Sequence, residues 1–205
     1  MKKLILLLML LSACIFAQRK TVIEGEVENG GFGGPVVKFS TINKNFGLFV
    51  GGYGGWLINH KFLLGGGGYG LVNNIKAGSG VRSHFNLTGE PYLEFGYGGL
   101  ILEYYFMPDE VLHYSVSVLV GAGGISYREK FMGNFLGDFN YNNESNNDAV
   151  FVLEPGLSGE LNVAKYLKIG FGVSYRYVGD VGLYGLKSSD LSNVAANIAF
   201  KFGKF

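Results

Sequence analysis

The stretch YLKIGFGVSYRYV, residues 166–178, alternates without a break. Leu167, Ile169, Phe171, Val173, Tyr175 and Tyr177 fall on one side of an extended chain. Lys168, Gly170, Gly172, Ser174 and Arg176 fall on the other. Successive side chains of a strand point to opposite faces, so period two marks a strand with one apolar and one polar face.

The same pattern recurs along the chain. Residues 111–125 set Leu112, Tyr114, Val116, Val118 and Val120 against His113, Ser115 and Ser117. Residues 149–161 set Phe151, Leu153, Leu157 and Leu161 against Glu154, Gly156, Ser158 and Glu160. Leu93, Phe95 and Tyr97 oppose Glu94, Gly96 and Gly98. Eight segments emerge: 32–42, 46–58, 61–72, 90–106, 111–125, 149–161, 166–178 and 191–203. The alternation slips near Gly98-Gly99, where a bulge is expected to re-aim Leu100 to Phe106 and leaves the facing of Glu103 open. After residue 30 no stretch repeats at helical spacing over three turns.

Connections 59–60, 108–110 and 162–165 are short, whereas 73–89, 126–148 and 179–190 are long and polar. The connection 43–45 is the short exception. In an antiparallel meander alternate connections share an end, so the long ones are expected together. Residues 134–147 hold six asparagines and no Lys or Arg, as in a solvated loop.

The fold class expected is therefore all-β: a closed eight-stranded antiparallel up-and-down barrel that crosses a membrane. This also accounts for the glycines, 34 of 205 residues, against a usual share of about 7%. An eight-stranded barrel is just wide enough for side chains to fill it. With the apolar face on lipid, inward glycines leave room for a luminal charge network, which parity assigns to Lys38, Glu94, Glu154, Glu160, Lys168 and Arg176. Burying charge demands pairing, so a salt-bridged plug is expected. The lipid-facing set is Leu167, Ile169, Phe171, Val173, Tyr175, Tyr177, Leu112, Tyr114, Val116 and Val118.

The N-terminus reads as an export signal. Lys2 and Lys3 precede the apolar run Leu4–Leu11, and IFAQ offers cleavage between Ala17 and Gln18. The domain division is thus a signal peptide at 1–17, a periplasmic segment at 18–30 and a barrel at 31–205. A second reading makes LSAC a lipobox with Cys14 lipidated. Cleavage after Ala17 leaves no cysteine, which removes disulfides and thiol chemistry. The formal charge of +1 and the absence of a basic stripe give no nucleic-acid partner.

The export signal, the alternating strands and the ending NIAFKFGKF resemble the small eight-stranded outer-membrane barrels of Gram-negative bacteria, the OmpA/OmpX type. The GGYGG and GGGGYG strands and the FAQ ending look like Bacteroidota outer-membrane proteins. The resemblance implies location in the outer membrane, contact with its lipid, periplasmic N- and C-termini and outward-facing long loops. It also implies a terminal aromatic, Phe205, read by the barrel-assembly machinery as an assembly signal. Phe205 is out of phase with Ile198, Phe200 and Phe202, so a slip at Gly203 is needed to align it.

No motif brings a cofactor or metal. Gly65, Gly67 and Gly70 fit G-x-G-x-x-G, but no helix follows. Asp138, Glu144 and Asp148 lack calcium-loop spacing. His60 falls in a turn and His84 in a loop. His113 and Ser115 share the inward face of one strand, a pairing similar to that of barrel lipid A deacylases. The role expected is non-enzymatic: membrane integrity, or contact with a surface ligand through the loops. The alternatives are a lipid-modifying enzyme using His113 or His84, a soluble or lipid-anchored periplasmic barrel holding an apolar ligand, and an open pore.

Overall fold

The computed structural model describes residues 28–78, 80–85, 89–128 and 147–205. Ala17, Gln18, Cys14 and most of 134–147 lie outside them. The strands are β1 (Asn29–Ile42), β2 (Asn45–Ile58), β3 (Phe62–Leu71), β4 (Ile75–Lys76), β5 (Tyr92–Phe106), β6 (Leu112–Arg128), β7 (Asn147–Ala164), β8 (Leu167–Gly179) and β9 (Asn193–Lys204). Two single-turn helices, α1 (Val81–His84) and α2 (Ser188–Leu191), lie in connections. The strand order β3-β2-β1-β9-β8-β7-β6-β5 closes on itself through a β3–β5 pairing, and two-residue β4 continues the β3 stave along β5. Every pairing is antiparallel between neighbouring staves, so the fold is a closed eight-stave meander without a free edge.

Two hairpins are joined by residue pairs with positive φ: Asn43 (46°) with Lys44 (64°), and Asn59 (51°) with His60 (55°). Such mirror-image turns match the twist of the strands they connect. The turns near 59–60, 107–111 and 165–166 share one end with the start of β1 and the end of β9. We call it the turn end. Connections 72–91, 129–146 and 180–192 share the other, the loop end, with the 43–44 turn.

All eight staves carry large exposed apolar side chains on their outward face, among them Phe39, Trp56, Leu64, Leu100, Val116, Leu157, Phe171 and Phe200. Leu112 and Tyr114 are exposed with Val116, and Phe171, Val173, Tyr175 and Tyr177 form an outward row on β8. Val118, Leu167 and Ile169 are half-buried on the same face as these rows.

The structure departs from the sequence expectations in five places. The Gly98-Gly99 bulge is absent, since β5 pairs without a shift on both sides through Gly67↔Gly99 and Gly98↔Ala122. The register shift falls instead between Asn162 and Ala164. Consequently Leu93, Phe95 and Tyr97 point inward, in phase with Ile101, Glu103 and Tyr105, and Glu94 points outward. The physical reason is that the β5 share of the loop-end half of the lumen is taken by rings, which pack around the charges supplied by β1, β7 and β8. Phe95 meets Phe49 at 5.8 Å and Tyr97 meets Tyr69 at 5.4 Å between ring centres.

Third, the glycines occupy both faces. Gly66 and Gly68 are exposed on β3, while Gly99 and Gly121 face each other across β5 and β6. A Cβ on Gly121 would sit 2.0 Å from the Gly98 carbonyl oxygen, so close backbone approach requires glycine there. Fourth, Gly203 keeps the β1–β9 register, and Phe205 turns toward the barrel interior, 5.5 Å from Phe32 between ring centres. Fifth, β1 begins at Asn29, so the last residues assigned to the N-terminal segment are part of the barrel.

Candidate functional site

Inward side chains from all eight staves meet in the lumen, which is layered along its axis. At the turn end Phe32, Leu57 and Leu63 are buried, with Phe205 packed against them. Above this apolar floor lies a first charged cluster. Lys201 on β9 pairs with Glu160 on β7 and lies 3.3 Å from Glu103 on β5. Its ammonium donates to the Tyr105 hydroxyl at 3.1 Å. The Tyr53 and Tyr105 hydroxyls donate to the Glu103 Oε2 at 3.0 and 2.7 Å. Ser115 Oγ lies 2.7 Å from Glu103 Oε1 and 3.1 Å from Glu160 Oε1. His113 Nε2 lies 3.5 Å from Glu160 Oε2, and neither ring nitrogen has a hydrogen-bond partner.

A second cluster sits nearer the loop end. Lys38 on β1 pairs with Glu154 on β7 at 2.7 Å, and the ammonium lies 3.5 Å from the centre of the Tyr69 ring. Glu154 also accepts from the Tyr97 hydroxyl at 2.6 Å and from Ser174 Oγ at 2.5 Å. Both clusters border a cavity of about 50 Å³, lined among others by Lys38, Glu103, Ser117, Glu154, Ser158 and Asn197. At about 10–15 Å³ of centre volume per water, it has room for three to five molecules. Its acids and bases balance, so it suits water better than a lone ion.

The assigned charges therefore meet different fates. Lys38 and Glu154 are brought together, and Glu160 joins Lys201 and Glu103, whose facing the sequence leaves open. Lys168 is buried at the turn end with its ammonium 4.4 Å from the centre of the Phe205 ring. Arg176 is buried at the loop end, 4.6 Å from the Phe49 ring centre. Neither makes an ion pair among the described residues. Glu94 is corrected: it stands on the outer rim, 2.9 Å from Arg128 Nε. Lys201 is absent from the parity assignment, although the outward phase of Ile198, Phe200 and Phe202 carries the signal for it.

Beyond the rings, an aliphatic ceiling closes the loop end. Val81 from α1 and Leu183, Leu186 and Leu191 from the 180–192 connection are buried against Ile75, Ile125, Val152 and Val178. Connections 72–91 and 180–192 are thus more than solvated loops. His84 stays exposed, its ring stacked 3.6 Å above Tyr184. His60 lies in its turn and contacts Glu28. Among the described residues no three His, Cys, Asp or Glu side chains are grouped to hold a metal.

No protein-family model matches the chain, and no curated protein matches it in sequence. Solved structures share its fold. Neisserial surface protein A (NspA) superposes with a TM-score of 0.55 at 13% identity, covering 88% of this chain and 100% of that one. A major outer membrane protein of Thermus thermophilus gives 0.51 at 10% identity, with 85% and 99% covered. Ail, the attachment invasion locus protein of Yersinia pestis, in complex with the heparin analogue sucrose octasulfate, gives 0.50 at 10% identity, with 87% and 99% covered. The fold is that of the small eight-stranded outer-membrane barrels.

Proposed function

We propose that this chain is an integral outer-membrane barrel with a plugged lumen. In this reading it serves membrane integrity or surface contact through its loops, with no catalytic step of its own. One observation carries the reading: large apolar side chains are exposed outward, while Lys38, Glu103, Glu154, Glu160, Lys168, Arg176 and Lys201 are buried inward. That arrangement is inverted relative to a water-soluble protein, where exposed apolar patches stay small and charge faces solvent. Hydrocarbon is the solvent that accepts it, and closure satisfies the backbone. The termini then lie on the periplasmic side with the short turns, and the loops face outward. Phe205 remains the proposed assembly signal, read before its ring packs inside.

Thiol labelling tests the orientation. A cysteine replacing Phe171 in membranes should react with a membrane-permeant maleimide and resist a charged, water-borne one. A cysteine replacing Ser174 should resist both until the barrel is unfolded. A Phe171→Cys thiol freely labelled by the charged reagent would sink the reading.

The enzyme reading draws no support from the geometry. His113 and Ser115 are buried, engaged near Glu160 and Glu103, and face away from lipid. A soluble carrier would need the bulky apolar face inside, opposite to what β8 presents.

A further inference from the structure

Among the described residues, four cations are buried in the lumen against three carboxylates. At the loop end the cation without a carboxylate is Arg176. Its side chain is wholly buried, yet its partners are neutral: Nε donates to the Leu191 carbonyl at 3.0 Å and Nη2 to Ser40 Oγ at 3.3 Å. Nη1 has no hydrogen-bond partner. Guanidinium carries five N–H donors and stays charged at any accessible pH, so a buried one with an orphaned nitrogen is costly. Lys38, whose ammonium like the Arg176 guanidinium lies 5.5 Å from the Tyr97 ring centre, adds positive charge, and Glu154 is already engaged by Lys38, Ser174 and Tyr97. No spare internal anion serves Arg176 among the described residues.

What covers Arg176 is a connection rather than a strand. Segment 180–192 dips Leu183, Leu186 and Leu191 into the mouth. It is fastened by a few hydrogen bonds. Besides Arg176 to Leu191, the Asn43 amide donates to the Asp190 carbonyl at 2.7 Å, the Val178 amide to Ser192 Oγ at 2.9 Å, the Tyr127 hydroxyl to the Tyr184 carbonyl at 2.9 Å and the Gly182 amide to Asp148 Oδ2 at 2.6 Å. Left-handed backbone at Asp180 (φ 60°) and Gly185 (φ 82°) bends the segment inward. The floor at the opposite end is built mainly from strand residues, so the loop end is the one that can open.

We propose that 180–192 is a lid latched by Arg176, and that a small oxyanion (phosphate, sulfate or carboxylate) replaces the Leu191 carbonyl on the guanidinium when the lid lifts. Bidentate pairing with an oxyanion would occupy the orphaned Nη1 and supply the missing negative charge. The inference goes beyond surface presentation and does not depend on it.

The test is a titration of the full chain in octyl glucoside micelles, followed by NMR at the Arg176 Nε–H and by hydrogen exchange at the Asn43 amide. Inorganic phosphate is the probe, and chloride at equal ionic strength is the control. Phosphate should shift the Arg176 signal saturably and speed exchange at Asn43, with chloride doing neither. In a second arm, a phosphatidylglycerol of short chain length replaces free phosphate. A response there alone keeps the site and assigns the anion to a lipid headgroup. Arg176→Met, still heat-modifiable on gels, should lose the Asn43 response. The proposal is overturned if neither phosphate source moves the Arg176 signal, if chloride moves it equally, or if Arg176→Met responds like the unaltered chain. Should that variant not fold, the titration of the unaltered chain still decides.

Discussion

Lys38 and Glu154 show what one residue can cost in this lumen. Both are buried, and each is the charged partner of the other at 2.7 Å. Removing one partner leaves an uncompensated buried charge, which costs about 3–5 kcal/mol, whereas removing both is far milder. Glu154→Leu should therefore lower stability in lipid vesicles by that order in urea titrations. The double variant Lys38→Met with Glu154→Leu should regain most of the loss. If the double is no better than the single, the pair is not coupled. Glycines divide in the same way. A Cβ at Gly121 meets backbone at 2.0 Å, while one at Gly124 meets nothing within 4 Å. Gly121→Ala should impair folding, seen as loss of the heat-modifiable band, and Gly124→Ala should stay within about 0.5 kcal/mol of the parent.

Among the elements, the hairpin turns carry strain that substitution can relieve. Lys44 holds φ at 64°, a conformation that costs a side chain roughly 1–2 kcal/mol and costs glycine little. Asn-Gly is the favoured pair for such a turn. Lys44→Gly should raise the urea midpoint by an amount equivalent to about 1 kcal/mol. An unchanged or lower midpoint would mean that the turn is held by other contacts. Strand β5 shows where local reading stops. GYGGL offers no side chain at Gly98 and Gly99 to mark the phase, so a slip cannot be told from continuity. The phase is set by pairing on both flanks, Gly68↔Gly98 and Gly99↔Gly121, which belong to β3 and β6. The cost of the misread phase is Glu94, assigned inward by parity and found beside Arg128 on the rim.

For the molecule as a whole, an apolar floor, two charged clusters, a ring layer and an aliphatic ceiling occupy the lumen around a cavity of about 50 Å³, and the plugged reading proposed from them is open to test. In planar bilayers the purified barrel should show no sustained conductance step. A steady open level would end the plugged reading without touching the membrane one. Deleting residues 134–146 should leave the barrel heat-modifiable while abolishing any surface binding, and failure to fold would make that connection structural.

Period two in residues 166–178 and 111–125 was enough to give strands with one apolar face; the alternation of long and short connections pointed to the barrel, and which face turns outward was an expectation that the tertiary structure decided. The strands follow from the chain's own geometry, since neighbouring side chains of a strand must point opposite ways. The sequence also named most of the buried charges, because parity travels along one strand. It did not say which acid would meet which base, nor that Phe95 and Tyr97 would fill the mouth, nor that 180–192 would fold over Arg176. Those outcomes depend on residues far apart in the chain that become neighbours only when the ring closes. Stagger around that ring sets their height in the lumen, and no local repeat encodes it.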